Sequence, residues 1–210
     1  MFLICPAVFC YVRTEPDRVS RVRVIGGERK RAALLGPGPG DQTIRPTYDR
    51  VRESVFDLLN RVEGFEVLDL FAGTGSVGIE ALSRGARRAV FVDSGAEGIR
   101  LINANLEKLR MKDRAEVVRS DVRTYIKRLR PARFDVIFID PPYDSELFSE
   151  TMELIAGGEF TAKNGVIIGQ RGRRQEKEEF GRYKLKDQRR YGKTWITIWK
   201  STEGTASRND

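Results

Sequence analysis

The sequence contains no histidine, and its only two cysteines, Cys5 and Cys10, lie close to the first residue. A histidine-based acid/base site and a Cys/His zinc site therefore cannot be built, and we predict no metal site. Two cysteines in 210 residues also do not form a disulfide framework, which fits a reducing cytoplasm. These absences exclude many hydrolase mechanisms.

Long apolar runs are lacking as well. Residues 1–12 are apolar, but the run is too short to span a bilayer and lacks the basic start and the cleavage pattern of a secretory signal. We expect residues 1–20 to be an extension that is either disordered or non-native, and in the second case translation begins near Val19. The polar tail 201–210 is expected to be disordered.

Positive charge is in excess, with 38 Lys and Arg against 30 Asp and Glu and a net charge of +8. This balance favours a polyanionic partner, for which nucleic acid is the usual candidate. A chain of 210 residues is expected to hold one catalytic domain, predicted at 47–200 after a basic arm and loop at 21–46.

The order of apolar runs predicts an α/β fold. Short β-branched runs alternate with helical patterns, which is typical of a parallel sheet. The predicted strands are 66–71, 89–93, 115–119, 134–140 and 166–168, and the helices between them are 77–84, 96–109, 122–129 and 146–155. Two more strands at 183–186 and 194–199 have no helix between them, so we expect an antiparallel hairpin to complete a seven-stranded, mostly parallel sheet.

Two further elements precede this core. Residues 21–35 are predicted to be a β-rich arm, and an amphipathic helix is predicted from Thr47. Its apolar face carries Val51, Val55, Leu58, Leu59 and Val62, and its polar face carries Arg50, Arg52, Glu53 and Asp57.

A glycine-rich segment, Asp69-Leu-Phe-Ala-Gly73-Thr-Gly75-Ser-Val-Gly78, follows the first core strand and opens a helix. Glycines there allow a sharp turn and close approach to a ligand. Asp93 ends the next strand about 20 residues after Gly73, the spacing at which a carboxylate meets ribose hydroxyls. Asp121, after the third strand, is placed for the adenine end of the same ligand. The loop alone fits both NAD and S-adenosylmethionine, since both carry adenosine.

The tetrapeptide Asp140-Pro141-Pro142-Tyr143 follows the apolar run 134–139, at the sheet edge where ligands bind. The prolines stiffen the loop and expose carbonyl acceptors. The Asp140 side chain and the Pro141 carbonyl can hold the N–H groups of a base, and Tyr143 can stack on its ring. This predicts methyl transfer to an exocyclic amine, achieved by positioning for in-line displacement.

These motifs together resemble amino-methylating enzymes with an (Asn/Asp)-Pro-Pro-(Tyr/Phe) sequence, and more closely the bacterial RsmD family. The closer resemblance is carried by Arg23-Val-Ile-Gly-Gly27, Ile44-Arg-Pro-Thr47, Asp49-Arg-Val-Arg-Glu53 and Gly78-Ile-Glu-Ala-Leu-Ser-Arg-Gly85, and runs from about Arg21 to Lys200. It implies a Rossmann-like class I S-adenosylmethionine-dependent methyltransferase fold. The implied activity is methylation of guanine N2 in small-subunit (16S) ribosomal RNA.

The resemblance also implies the site residues. The cofactor would be bound by Asp69, Phe71, Gly73, Gly75, Asp93, Ser94, Asp121 and Val122, and the guanine by Asp140, Pro141, Pro142 and Tyr143. Two features depart from the family pattern: Ser94 and Gly95 follow Asp93 where a charged pair is common, and Gln170 stands where an acidic residue is expected.

Basic residues lie on both sides of the predicted core. The first group is Arg29, Lys30, Arg31, Arg45, Arg50 and Arg52, and the second is Arg171, Arg173, Arg174, Arg189, Arg190 and Lys193. If both flank the catalytic mouth, they would bind RNA phosphates while the base pocket selects the target. From the first group we predict Arg29, Arg31, Arg45 and Arg50 as RNA-binding residues.

Other functions stay open at this stage. An adenine-N6 methyltransferase on DNA or RNA would use the same tetrapeptide, and a non-catalytic RNA-binding assembly factor could keep the same fold. An NAD-dependent oxidoreductase is less favoured, because no proton donor stands near the glycine loop. The expected protein is a cytoplasmic monomer that acts on ribosomal RNA, either free or in an assembling small-subunit particle.

Overall fold

The computed structural model describes residues 19–37, 49–130, 133–142 and 146–202. The described strands are β1 (Val19–Arg23), β2 (Ala33–Leu35), β3 (Glu66–Leu70), β4 (Arg88–Asp93), β5 (Ala115–Arg119), β6 (Phe134–Ile139), β7 (Thr161–Arg171), β8 (Glu179–Phe180), β9 (Tyr183–Tyr191) and β10 (Thr194–Ser201). The α-helices are α1 (Asp49–Leu59), α2 (Ser76–Ser83), α3 (Ala96–Leu109), α4 (Val122–Arg128) and α5 (Leu147–Ala156).

Eight strands form the main sheet, in the order β5-β4-β3-β6-β7-β10-β9-β8. The pairs among β5, β4, β3, β6 and β7 are parallel, and β10, β9 and β8 continue antiparallel from β7. The predicted fold class is therefore confirmed, but the count of seven strands is wrong by one. The additional strand, β8, has only two residues and so leaves no readable pattern in the sequence.

Two predicted strands are much longer in the structure. β9 covers nine residues because it pairs with β10 along its length. β7 covers eleven residues, because residues 169–171 pair with β10 and Thr161 pairs with Phe134 of β6. Both extensions are polar, as in Asp187-Gln-Arg-Arg190, so side-chain pattern alone did not indicate them. The predicted arm is present as the antiparallel pair β1 and β2, although β1 begins inside the expected extension. Predictions for residues 1–18 and for Thr47 lie outside the described residues.

Helices cover both faces of the sheet. One core cluster joins α1, α2 and α3 to inward side chains such as Phe91, Phe138 and Ile168. The other joins α4 and α5 to Leu70, Ile139 and Trp199. The central strands are buried on both sides, which explains their nearly continuous apolar sequences. Within the part of the chain that the structure describes, no helix has the length and apolar character needed to cross a membrane.

The fully buried carboxylate of Glu80 in α2 holds the N-terminal hairpin on the core. It accepts hydrogen bonds from the backbone N–H groups of Ile25 at 2.7 Å and Gly26 at 2.8 Å. Arg84 pairs with the same carboxylate at 2.7 Å, and the Nε of Arg52 lies 3.7 Å from it. One acidic side chain thus joins the hairpin, α1 and α2.

Replacing Glu80 by alanine should destabilise the protein strongly, since it removes the acceptor of two backbone N–H groups and the buried countercharge of Arg52. We expect the free energy of unfolding to fall by about 3–5 kcal/mol in denaturant titrations. Amide exchange at Ile25 and Gly26 should accelerate. The matched control is Glu63→Ala, which breaks an exposed pair with Arg61 and should cost less than about 1 kcal/mol. Equal losses for the two variants would contradict the anchoring role.

Candidate active site

The glycine loop between β3 and α2 turns in the left-handed backbone region. Gly73 has φ 55° and Gly75, directly before α2, has φ 76°. Phe71 adopts φ 61°, an uncommon value for a residue with a side chain. A Cβ added to Gly78 would lie 2.3 Å from the ring of Phe91, so the first turn of α2 packs directly against β4. The loop therefore needs glycine for both its turn and its packing.

The side chain of Asp69, in β3, is hydrogen-bonded to the residue that follows this loop in α2. Its carboxylate is only 2% exposed and accepts a hydrogen bond from the Gly78 backbone N–H at 2.9 Å. Burial raises the pKa of Asp69 to about 8, and the negative charges of Asp140 and Asp93 act in the same direction. Asp69 thus supports the glycine loop, and its contact with the cofactor stays a prediction.

Asp93, at the end of β4, holds the loop from the neighbouring strand. One carboxylate oxygen accepts from the Gly73 N–H at 2.8 Å, and the other accepts from the Gly95 N–H at 2.7 Å. A carboxylate has about four lone-pair sites, so these two bonds leave Asp93 with acceptor capacity for ribose hydroxyls. Ser94, which is exposed, lies in the turn that Asp93 closes.

Asp121 lies at the neighbouring strand end, where the Ser120 N–H donates to the Asp93 carbonyl at 2.9 Å. It caps α4 by accepting from the Thr124 N–H at 3.1 Å. Hydrogen bonding to Arg123 lowers the pKa of Asp121. Capping by itself accounts for an aspartate before Val122, so the adenine role of both residues stays a prediction.

The predicted catalytic loop follows β6. Its first residue, Asp140, is half-buried, and one of its carboxylate oxygens accepts a hydrogen bond from the Gln170 amide at 3.1 Å. Pro141 is buried and Pro142 is exposed. Tyr143 lies outside the described residues, so its stacking role stays a prediction.

One cleft lies between α1 and the sheet and extends from Asp69 and Val77, on either side of the glycine loop, to Asp140. It is lined by the charged or polar residues Arg52, Asp69, Asp140 and Gln170 and by the apolar residues Val55, Val77, Phe138, Ile139, Ile168 and Ile196. Asp69 is in β3, and Asp140 directly follows the neighbouring parallel strand β6. The order of strands along the chain reverses between β3 and β6. Open α/β sheets bind ligands at such a reversal.

The predicted position of Arg52 is wrong. The sequence pattern placed this residue on the polar face of its helix and among the phosphate contacts. Its side chain is 1% exposed, and its Nη2 donates to the Arg23 carbonyl and to Asp49. The sequence pattern was misread because Phe56, four residues after Arg52 and itself buried, was not counted in the apolar face. Arg52 is thus a lining residue of the cleft.

The structure separates the predicted RNA-binding residues. Arg50 is exposed in the first turn of α1, two residues before the cleft residue Arg52. Arg29 instead lies beside the last turn of α2, where its backbone N–H donates to Ser83 at 3.0 Å, and Arg31 is exposed in the same hairpin. The glycine loop precedes the first turn of α2, whereas Arg29 lies by the last turn, and RNA binding by Arg29, Arg31 and Arg50 stays a prediction. Arg45 lies outside the described residues.

Gln170 is the residue that sequence analysis missed. It was noted only as a departure from the family pattern, but its amide reaches the predicted catalytic carboxylate from the next strand. Its position at the carboxyl end of a strand was the available signal. Across residues 19–37, 49–130, 133–142 and 146–202, no group of three or more Cys, Asp or Glu side chains is arranged to hold a metal ion.

Comparison with known proteins identifies the family of the chain. The family described as conserved hypothetical protein 95 matches residues 22–200. Ribosomal RNA small subunit methyltransferase D of Haemophilus influenzae is 32% identical over 72% of this chain and 79% of its own. The solved structure of yhhF from Escherichia coli, provisionally assigned as a methyltransferase, superposes with TM-score 0.76 and 27% identity over 87% of this chain and 98% of its own.

A more distant structure, SMU.776 complexed with SAH, has TM-score 0.60 and 21% identity over 72% of this chain and 48% of its own. At that identity it shows the fold alone. The fold is therefore that of the class I methyltransferases. More narrowly, the chain belongs to the conserved hypothetical protein 95 family, which is the RsmD family. The predicted family and its extent from about Arg21 to Lys200 are confirmed, and its named members are ribosomal RNA methyltransferases.

The raised pKa of Asp69 predicts a specific pH dependence of stability. The folded protein keeps this proton up to about pH 8, whereas the unfolded chain loses it near the usual pKa of 3.8. The stabilisation from the protonated Asp69 carboxyl is thus complete below pH 3.8 and is lost as the pH rises towards about 8. Asp69→Asn keeps an acceptor for the Gly78 N–H but does not titrate. Relative to this variant, the free energy of unfolding of the wild type should fall by up to about 1.4 kcal/mol per pH unit.

Urea denaturation of both proteins without cofactor, between about pH 5 and pH 8, measures this difference. Parallel stability curves for the two proteins would show that Asp69 is not protonated in the fold.

Proposed function

We propose that the protein transfers a methyl group from S-adenosylmethionine to the exocyclic N2 of a guanine in small-subunit ribosomal RNA. One observation carries the proposal: Asp69 and Asp140, on neighbouring parallel strands, line a single cleft between the glycine loop and the Asp-Pro-Pro loop. A cofactor held by the first loop and a base held by the second would meet there.

The residues present fit this cofactor. Gly73 and Gly75 give the loop a backbone without side chains, and Asp93 keeps acceptor capacity for ribose hydroxyls. Phe71, Ser94, Asp121 and Val122 follow the ends of β3, β4 and β5. When bound, S-adenosylmethionine supplies an electrophilic methyl group on a sulfonium sulfur. The buried carboxyl of Asp69 lies next to the glycine loop, where its ionised form would be favoured by a nearby positive charge.

The catalytic loop would orient the acceptor amine. The Asp140 carboxylate and the Pro141 carbonyl accept N–H bonds from the amine, so the nitrogen lone pair points towards the methyl carbon. A cofactor bound by the glycine loop would supply the methyl group to this nitrogen, and its sulfur would keep the electron pair of the broken carbon–sulfur bond. Asp140 is placed to accept the proton that the nitrogen loses, and water can also take it. Positioning supplies most of the rate in this arrangement.

Gln170 acts in this proposal as a positioning residue for Asp140. Its amide donates to one carboxylate oxygen at 3.1 Å and so limits rotation of the side chain. An acidic residue at position 170 would place a second negative charge beside Asp140 and favour its protonation. The amide keeps Asp140 available as an acceptor of N–H bonds.

The target and product provide the first test. Purified protein, labelled S-adenosylmethionine and small-subunit RNA lacking the modification should yield N2-methylguanosine on nucleoside analysis. N6-methyladenosine would instead identify an adenine methyltransferase. No methylation and no heat of cofactor binding by calorimetry would favour a non-catalytic assembly factor.

Running the reaction in parallel on free RNA and on partly assembled small-subunit particles tests the form of the substrate. An assembling particle, a monomeric enzyme and a cytoplasmic location stay predictions.

Variants of Asp140 and Gln170 should separate chemistry from cofactor binding. Asp140→Ala should lower kcat by about a hundredfold to ten thousandfold, since an acceptor that orients and deprotonates the amine is lost. Its calorimetric affinity for S-adenosylmethionine should change little. Gln170→Leu should lower kcat less, with RNA KM nearly unchanged, and Gln170→Glu should shift the acid limb of the kcat profile to higher pH.

The cofactor-loop control is Gly75→Val, which places a side chain at φ 76° with its Cβ 3.0 Å from Ile102. It should abolish cofactor binding, whereas Asp140→Ala should not. If Asp140→Ala retains wild-type kcat, the assigned catalytic loop is wrong.

A further inference from the structure

Three side chains lie in one register row across the C-terminal part of the sheet. Trp195 of β10 pairs with Arg171 of β7 on one side and with Arg190 of β9 on the other. Directly opposite residues in antiparallel strands project from the same face, about 5 Å apart. The sheet therefore presents an indole ring between two guanidinium groups, here called the Arg-Trp-Arg row.

The row lies at the same end of the sheet as the catalytic residues, but on its other face. Gln170 and Ile196 form the adjacent register row, and their side chains line the cleft with Asp140. Successive residues of a strand project to opposite faces, so the Arg-Trp-Arg row is on the side of α5, where Arg171 packs on Phe148. The segment after β7 reaches the end of the catalytic loop on this side, because Arg173 lies 3.7 Å from Glu146, the residue before α5.

Trp195 differs from the other tryptophan of the chain. Trp199 is 0% exposed and packs against Phe148 and Phe180 in the core. Trp195 is only half-buried, and among the described residues it belongs to neither core cluster. Large aromatic side chains near the surface without a core role often mark binding sites.

The flanking arginines have different surroundings. Arg171 is half-buried, with its guanidinium 4.7 Å from the centre of the Phe148 ring, which fixes its position. Arg190 is exposed and donates from Nε to the carbonyl of Gly192 at the hairpin turn. An aromatic ring between fixed and exposed cations suits a ligand with flat rings and a negatively charged backbone.

We infer that Arg171, Trp195 and Arg190 form a stacking platform for an unpaired nucleotide next to the target guanine. The inference rests on the proposed function for the identity of the RNA and extends it to a neighbouring nucleotide. The indole stacks on the base, and the two guanidinium groups bind the adjacent phosphates. Proteins that bind single-stranded RNA combine aromatic stacking with cationic contacts of this kind.

Tryptophan fluorescence gives a direct test, because stacking on a base quenches an indole. A short single-stranded RNA that carries the target guanine should quench the wild-type protein. Trp195→Phe should lose that quenching but keep RNA KM within about threefold, since phenylalanine still stacks. Trp195→Leu should raise RNA KM by about fivefold to a hundredfold, because it removes the aromatic face.

Calorimetry with S-adenosylmethionine shows whether each variant is folded, and its affinity should not change. Arg190→Gln should reduce the slope of log affinity against log salt by about one, as expected for one lost phosphate contact. The matched control is Arg133→Gln. Arg133 directly precedes β6, so it lies at the opposite edge of the sheet, and its side chain is 71% exposed. Its salt slope should equal that of the wild type.

Quenching that persists in Trp195→Phe, or an unchanged RNA KM in Trp195→Leu, would overturn the stacking platform. A surface that binds a ribosomal protein instead would give no quenching by RNA alone, which also overturns it. These outcomes differ from failure of the proposed function, in which the wild type forms no N2-methylguanosine whether or not RNA quenches Trp195.

Discussion

The hydrogen bond from the Gly78 backbone to the buried Asp69 carboxylate is the contact on which the rest of the site depends. It joins the end of β3 to the first turn of α2 and so forces the residues between them into a tight turn. Asp93 holds the same turn from β4 by accepting from Gly73. The loop is therefore fixed from two adjacent strands by protein contacts alone, and a ligand would meet a preorganised backbone.

The cleft beside this loop combines groups whose charges offset one another. Asp69 keeps its proton near neutral pH because it is buried close to two other carboxylates. Arg52 brings a buried guanidinium to the same cleft, and Gln170 brings a neutral donor to Asp140. Two acids, one cation and one amide therefore share the space between α1 and the sheet without an excess of like charge. A second carboxylate at position 170 would disturb this balance.

Basic residues are divided between the two edges of the sheet. The hairpin residues Arg29 and Arg31 lie by the last turn of α2, whereas Arg171 and Arg190 lie at the edge that carries Asp140. A net charge of +8 does not distinguish these places. Arg171 directly follows the cleft residue Gln170, and there the two cations flank an aromatic ring instead of forming a purely charged patch. Charge and stacking are thus combined where the proposed substrate enters.

The sequence by itself determined the order of helices and strands, the glycine loop and the Asp-Pro-Pro loop, because each is a local pattern of neighbouring residues. Tertiary structure decided which distant residues meet. The burial of Arg52, the contact of Gln170 with Asp140 and the pairing of Trp195 with Arg171 depend on helix packing and strand register. Residues 30 positions apart, as Asp140 and Gln170 are, come together only through the parallel pairing of β6 and β7. Side-chain periodicity carries no information about such pairings, since it records the environment of a residue but not the identity of its neighbour.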